Sequence, residues 1–371
     1  MSTTDPGKRI GIFMSFSGEG GVERMVSNLA QGMLDAGYQV DFVLARAQGR
    51  HLASIPDGVR LIKLDKRHTL GALPGLTAYL RREKPSALLA AKDRAIRVAI
   101  LARFFARSDV FLAGRIGTTV SAALEGRNLL KRIFWHLGMK FFYRFTDLIV
   151  AVSEGVAKDV IQITSLPASQ VTVISNPVIT PVLQQLAEEP VSYPWFEDLT
   201  IPIIMGMGRL TRQKDFTTLI KAFAIVRETR KCRLLILGEG ADRKDIETLA
   251  IELKICDDVN LPGFKSNPYA YLAKSSLFVL SSRWEGSPNA LTEALALGRP
   301  VVSTDCPSGP SEILQDGKYG KLVPVGDVCS MAAAMSLTLD SPPESEYLRG
   351  AVEEYSVQKS TASYLKAMGL N

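Results

Sequence analysis

The chain has 371 residues, 46% of them hydrophobic, and a net charge of +6 at pH 7. That length supports about two domains with sizeable cores, and no segment approaches the roughly 18 uninterrupted apolar residues of a membrane-spanning helix. Four cysteines without a C-x-x-C pair and three scattered histidines (His51, His68, His136) argue against a structural zinc site and for reduced thiols. The opening MSTTDPGKRI lacks the apolar core of a signal peptide. Charge is divided unevenly: residues 1–180 hold 24 Lys/Arg against 14 Asp/Glu, and residues 181–371 hold 20 against 24. A basic half beside a mildly acidic one predicts that one domain meets an anionic surface or substrate. The basic residues form no run and no nucleic-acid module, so nucleic acid is not the expected partner.

In chain order, KRIGIFMS (8–15) predicts a buried strand, and SGEGGVERM opens a helix stopped near Gly37. Gly20 and Gly21 permit close backbone approach and offer N–H groups to an anion. The dinucleotide pattern G-x-G-x-x-G is absent here. Strands are expected over 38–45, 59–64, 87–91, 110–113 and 148–152, with a helix over 70–83. This alternation predicts a parallel, doubly wound α/β sheet. Arg115 follows the 110–113 strand, where a surface arginine and a ligand-facing one are both open readings. RNLLKRIFWHLGMKFFYRF (127–145) mixes cations and aromatics at helical length. Its apolar residues wrap most of the helix, which predicts burial, while a membrane-surface role is the sharper alternative. Residues 181–200, with prolines, acids and no clean period, read as a linker.

The second half opens with IPIIMGMGRLTRQKDFTTLIKAF: a strand, a loop with Gly206, Gly208, Arg209 and Lys214, then an amphipathic helix. RLLILGEG, containing Gly238, and VNLPGF, containing Gly263 and Phe264, are further strand-and-turn units. LFVLSSRWEGSPNALTEALALGRPVV (277–302) reads as strand, loop, helix, strand. Ser287 and Pro288 predict the helix start, and Gly298 with Pro300 its stop. Glu285 then lies in the loop at the carboxyl end of a strand, and Glu293 in the second helical turn. Ligands of open α/β sheets bind at that edge, and a helix N-terminus suits an anionic phosphate.

The pair Glu285 and Glu293, with seven residues between them, resembles the E-x7-E element of retaining glycosyltransferases of the large GT-B family 4. GG-x-E-R at 20–24, G-R-L-x-x-Q-K at 208–214 and DCPSGPSEIL at 305–314 are similar to that family too, the last to bacterial members that build O-antigens, capsules and lipid-linked oligosaccharides. The resemblance covers nearly the whole chain and is densest over 203–314. It implies a GT-B fold: an acceptor-side Rossmann-like domain over 1–180, the linker 181–200, a nucleotide-sugar domain over 201–345, and a segment 346–371 that crosses back to the first domain. It implies a retaining transfer of a hexose or N-acetylhexosamine from a nucleotide sugar, a UDP-sugar, to a glycan acceptor. Arg209 and Lys214 would meet the diphosphate, Glu293 the ribose, and Glu285 the hexose. Backbone around Gly286, Ser287, Pro288, Asn289 and Ala290 would support sugar or phosphate. Gly20 and Gly21 would complete the diphosphate site, and Arg115 stands where many members carry a sugar-facing His. No D-x-D triplet occurs, in keeping with a metal-independent enzyme. A lipid-linked acceptor, a cytoplasmic location at the inner membrane and contact with its anionic face complete what the resemblance implies. A nucleotide-sugar 2-epimerase of the same fold and a non-catalytic sugar-nucleotide binder are the rival readings.

Overall fold

A computed structural model describes residues 8–16, 21–48, 52 and 55–370. The chain divides into two compact units, Met1–Val178 with Ser356–Asn371, and Ile179–Tyr355.

The first unit is built on seven parallel strands: β1 (Arg9–Phe16), β2 (Gln39–Ala47), β3 (Arg60–Lys63), β4 (Ala87–Ala91), β5 (Phe111–Ile116), β6 (Leu148–Ala151) and β7 (Val171–Val173). Their order across the sheet is β3-β2-β1-β4-β5-β6-β7. Ile10 pairs in register with Val40 on one side and Ala87 on the other. Both faces are covered, so β1 is apolar along its length: Ile10, Ile12 and Met14 enter one core and Phe13 the other. Parallel strands need crossover connections, and the helices Gly21–Asp35, Leu73–Glu83, Asp93–Ala106 and Glu154–Thr164 supply them. Asp41 of β2 is a charge buried in this sheet. Asp41 accepts from Arg9, Arg60 and the Tyr79 hydroxyl, at 3.1, 2.7 and 2.9 Å, which satisfies the carboxylate. The C-terminal helix Val357–Ala367 returns to this unit, burying Tyr364 and Leu365 in the same core as Ile10.

The second unit has six parallel strands: β8 (Ile203–Met207), β9 (Arg233–Leu237), β10 (Val259–Gly263), β11 (Leu277–Leu280), β12 (Val301–Thr304) and β13 (Lys321–Val323), in the order β10-β9-β8-β11-β12-β13. Ile204 faces one core layer, and Ile203 and Met205 the other.

Four sequence expectations change at this level. The stretch 181–200 is no free linker, since Leu183–Glu188 is a helix and Pro194–Phe196 a tight turn. Leu183 and Ala187 are buried there, and Tyr193 and Phe196 stack near Tyr271. The crossing to the first unit begins at Ser356 rather than at 346, because Leu348 and Val352 stay in the second unit's core. Ser287 does not open the helix that follows it. Pro288 is extended, with φ −73° and ψ 98°, so Asn289–Ala296 starts one residue later with no side chain capping it. The helix Leu129–Tyr143, capped by Asn128, buries only Met139 and Tyr143 fully. Leu130, Phe134, Leu137 and Phe141 remain exposed, against the burial that their number predicts.

Candidate functional site

Each sheet has one place where the strand order reverses, and there the two neighbouring connections leave in opposite directions and open a crevice. In the second unit that place lies between β8 and β11. The loop after β8 carries Lys214 and the loop after β11 carries Glu285, so residues 71 apart in sequence converge. Lys214 Nζ donates to Glu285 Oε1 at 2.6 Å. Ser282 Oγ donates to the same oxygen at 2.6 Å. Glu285 is only 7% exposed.

The loops are pinned to each other besides. Arg283 N–H donates to the Gln213 carbonyl at 2.8 Å, Gln213 Nε2 to the Trp284 carbonyl at 2.9 Å, and Ser281 Oγ to the Lys214 carbonyl at 2.8 Å. Thr304 Oγ1, from the end of β12, donates to the Ser282 carbonyl at 2.6 Å. The carboxylate and the ammonium therefore hold their places before any ligand arrives. Lys214 spends one of its three N–H donors on Glu285.

Glycines let the backbone close around this point. At Gly238, with φ 142°, an added Cβ would lie 1.9 Å from the Gly208 carbonyl oxygen. At Gly309, with φ 96°, it would lie 2.9 Å from the Gly286 carbonyl. The DCPSGPSEIL segment thus packs directly on the loop that follows Glu285. Cys306, in that segment, has its thiol pushed up to about 12 by burial and by the nearby Glu285 charge. Arg209 is exposed at the head of its loop. Glu293 is fully buried in the second turn of its helix.

The first unit repeats the arrangement between β1 and β4, its own reversal point. Glu23, in the first turn of the helix after β1, is 2% exposed, and Lys92 follows β4. Lys92 Nζ donates to Glu23 Oε1 at 3.0 Å. Lys92 has φ 79° and ψ 147°, a conformation costly for a residue with a side chain and of the kind that clusters at functional sites. The sequence reading passes over this lysine, whose only signal is its place between a strand and the helix opened by Asp93. Gly21 begins the helix Gly21–Asp35, while Gly20 lies outside the described residues. Arg115 belongs to β5 itself and is 3% exposed, which excludes the surface reading. Its Nη2 donates to Asn176 Oδ1 at 2.5 Å, and its charge lies near Tyr364 of the C-terminal helix.

Comparison with known proteins agrees with this geometry. The family model described as Glycosyltransferase Family 4 matches residues 19–180, and the one described as Glycosyl transferases group 1 matches residues 194–354. A Campylobacter jejuni N-acetylgalactosamine-N,N'-diacetylbacillosaminyl-diphospho-undecaprenol 4-alpha-N-acetylgalactosaminyltransferase is 27% identical over 343 residues, 90% of each chain. An uncharacterized glycosyltransferase of Methanocaldococcus jannaschii is 36% identical over 182 residues, 48% of this chain and 44% of the other. Among solved structures, Anabaena HepE in complex with UDP and glucose superposes with a TM-score of 0.79 at 17% identity, covering 98% of this chain and 99% of that one. Two parallel-sheet units, a motif-bearing crevice in the second, and two family matches that together span most of the sequence lead to one conclusion: the chain belongs to glycosyltransferase family 4 and has the GT-B fold.

Proposed function

We propose that this glycosyltransferase moves a hexosyl or N-acetylhexosaminyl group from a UDP-sugar to a lipid-linked glycan acceptor, with retention at the anomeric carbon and without a metal ion. The observation that carries the reading is the Lys214–Glu285 pair at the β8/β11 reversal point, inside both family motifs. Lys214 and the exposed Arg209 meet the negative charge that grows on the departing diphosphate. Because Glu285 and the surrounding hydrogen bonds already hold Lys214, little reorganisation accompanies the reaction, and such preorganised charge is commonly the largest catalytic contribution. Glu285 also takes hydrogen bonds from hexose hydroxyls, and N–H groups over Gly286–Asn289 support the sugar or phosphate. Glu293 accepts from the ribose hydroxyls, which requires this buried carboxylate to become accessible when the donor binds.

In the step itself the bond from the anomeric carbon to the diphosphate oxygen breaks. The acceptor hydroxyl forms the new bond from the same face, and its proton passes to the leaving phosphate. Glu23 and Lys92 lie at the crevice of the other unit, where they are suited to orient the acceptor. The named donor and acceptor classes draw support from the UDP complexes of Anabaena HepE and the diphospho-undecaprenol substrate in the Campylobacter enzyme's name.

A screen of nucleotide sugars against a lipid-linked acceptor pool, with released nucleoside diphosphate and product anomer both measured, tests the proposal. An α-configured glycoside from an α-linked UDP-sugar supports it. An inverted product removes the retaining mechanism, an epimerised sugar nucleotide makes the enzyme a 2-epimerase, and donor binding without turnover leaves a non-catalytic binder.

A further inference from the structure

Lys92 is held in a conformation that its side chain makes costly. Its φ of 79° and ψ of 147° lie close to a region that glycine alone occupies freely. The strain persists because the backbone is fixed on both sides. The Lys92 N–H donates to the Arg115 carbonyl at 3.1 Å, and the Lys92 carbonyl accepts from Ala95 and Ile96 at 3.0 and 3.1 Å as the helix Asp93–Ala106 begins. Glycine would adopt this shape without strain, so what the position gains from lysine is the ammonium.

That ammonium meets a carboxylate with bonding capacity to spare. Glu23 is 2% exposed, and its Oε1 accepts from Lys92 Nζ at 3.0 Å. Its Oε2 is buried with no donor among the described residues. One turn further along the helix Gly21–Asp35, on the same side, Ser27 is also buried, and its Oγ has no partner among the described residues either. Buried polar atoms are nearly always hydrogen-bonded, so two orphans on one helix face mark a polar slot. Lys92, with a side chain 45% exposed and two further N–H donors, links that slot to the surface.

The chemistry of the slot selects its occupant. An ionised carboxylate can only accept, so Oε2 takes an O–H or N–H and repels a phosphate. The ammonium beside it balances its charge, and a balanced pair offers no net attraction to an anion. A carboxylate that accepts, an ammonium that donates and a hydroxyl that does both suit the neighbouring hydroxyls of an uncharged sugar. The second unit carries the same pairing at its own reversal point with the residues exchanged: there the lysine follows β8 and the glutamate β11.

We propose that Glu23, Ser27 and Lys92 form a subsite for an uncharged sugar, the terminal residue of the acceptor, whose hydroxyls donate to Glu23 Oε2 and accept from Lys92 Nζ. The subsite rests on the reading of the first unit as the acceptor side, and it names what is recognised there: sugar hydroxyls rather than a phosphate.

Saturation-transfer NMR on the full chain tests it. The probes are the methyl glycosides of glucose, galactose, N-acetylglucosamine and N-acetylgalactosamine, with methyl phosphate as the anionic competitor. At least one glycoside should bind the wild type, and methyl phosphate should not displace it. In the double variant Glu23→Gln with Lys92→Gly, glycoside affinity falls by about tenfold or more, as for the loss of a charge-assisted hydrogen bond. The same variant melts at a higher temperature, because glycine relaxes the strained backbone. Lys92→Arg, which keeps the charge and the donors, retains most of the affinity. The proposal is overturned if no glycoside binds the wild type, if the double variant binds as tightly as the wild type, or if methyl phosphate displaces the glycoside. It is overturned as well if the double variant loses binding and melts lower, which makes the pair a structural one. Transfer of a sugar by a wild type whose glycoside binding ignores this pair removes the subsite and leaves the glycosyltransfer proposal standing. Glycoside binding that depends on the pair, in a chain that transfers nothing, does the reverse.

Discussion

The two glutamates of the E-x7-E pair differ in environment, and that difference separates their roles. Glu285 is held by Lys214 and Ser282, whereas Glu293 is buried in a helix. Glu285→Gln removes the charge that fixes the ammonium, so transfer falls by about 100-fold, comparable to losing one charge-stabilising donor, while affinity for free UDP is spared. Glu293→Gln weakens UDP and UDP-sugar alike, since both carry the ribose. Calorimetry with both ligands checks the split, and a Glu293→Gln variant that only melts earlier, with UDP affinity intact, assigns that residue to structure. Cys306 gives a pH-dependent case. Burial and the Glu285 charge raise its thiol to about 12, so the neutral form is the one the folded state favours. The thiolate appears, and this contribution to stability fades, only as pH climbs through the alkaline range toward that value. Because alkylation requires thiolate, iodoacetamide at pH 8 should label the exposed Cys256 and Cys329 and leave Cys306 and activity untouched, as peptide mass spectrometry would record.

Among elements, the contact of the C-terminal helix with the helix Gly21–Asp35 depends on a missing side chain. A Cβ at Gly32 would come within 2.1 Å of Thr361 Oγ1 and 2.9 Å of Val357 Cγ1. Gly32→Val should therefore push the C-terminal helix off its seat and cost about 1–3 kcal/mol, typical of overpacking, seen as a lower Tm. Arg115, buried near Tyr364 of that helix, donates to Asn176. Removing a buried hydrogen-bonding charge leaves its partners unsatisfied, so Arg115→Leu should lower Tm as well as activity. A variant with normal Tm and lost transfer would instead return Arg115 to a sugar-facing role.

For the molecule as a whole, the positive charge that answers the diphosphate comes from side chains and backbone in the proposed mechanism. Chelators should leave turnover unchanged, and Lys214→Ala should lower it by about 100-fold. Strict dependence on added Mg²⁺ or Mn²⁺ would remove the metal-free mechanism. The charge asymmetry between the halves belongs to this scale also. Such fields act over roughly 8 Å at physiological ionic strength, so they steer encounter with an anionic partner rather than decide the fold.

Local signals sufficed for much of this protein. Strands buried on both faces have to be apolar throughout, so IGIFM, ALLAA and LFVL are visible as strands in the sequence. Glycines followed by helix starts mark the loops at the ligand-binding edge, and the E-x7-E and G-R-L-x-x-Q-K spacings identify the family. Convergence across long stretches of chain is different in kind. Nothing near Lys214 names Glu285 as its partner, and nothing near Glu23 names Lys92, because the reversal in strand order creates both pairs. The fate of an apolar helix is likewise invisible to its own residues. Leu129–Tyr143 has enough apolar surface to be buried all round, yet the first unit covers only one side of it. Which side stays open is set by the neighbours that pack against it, and those neighbours exist only in the folded chain.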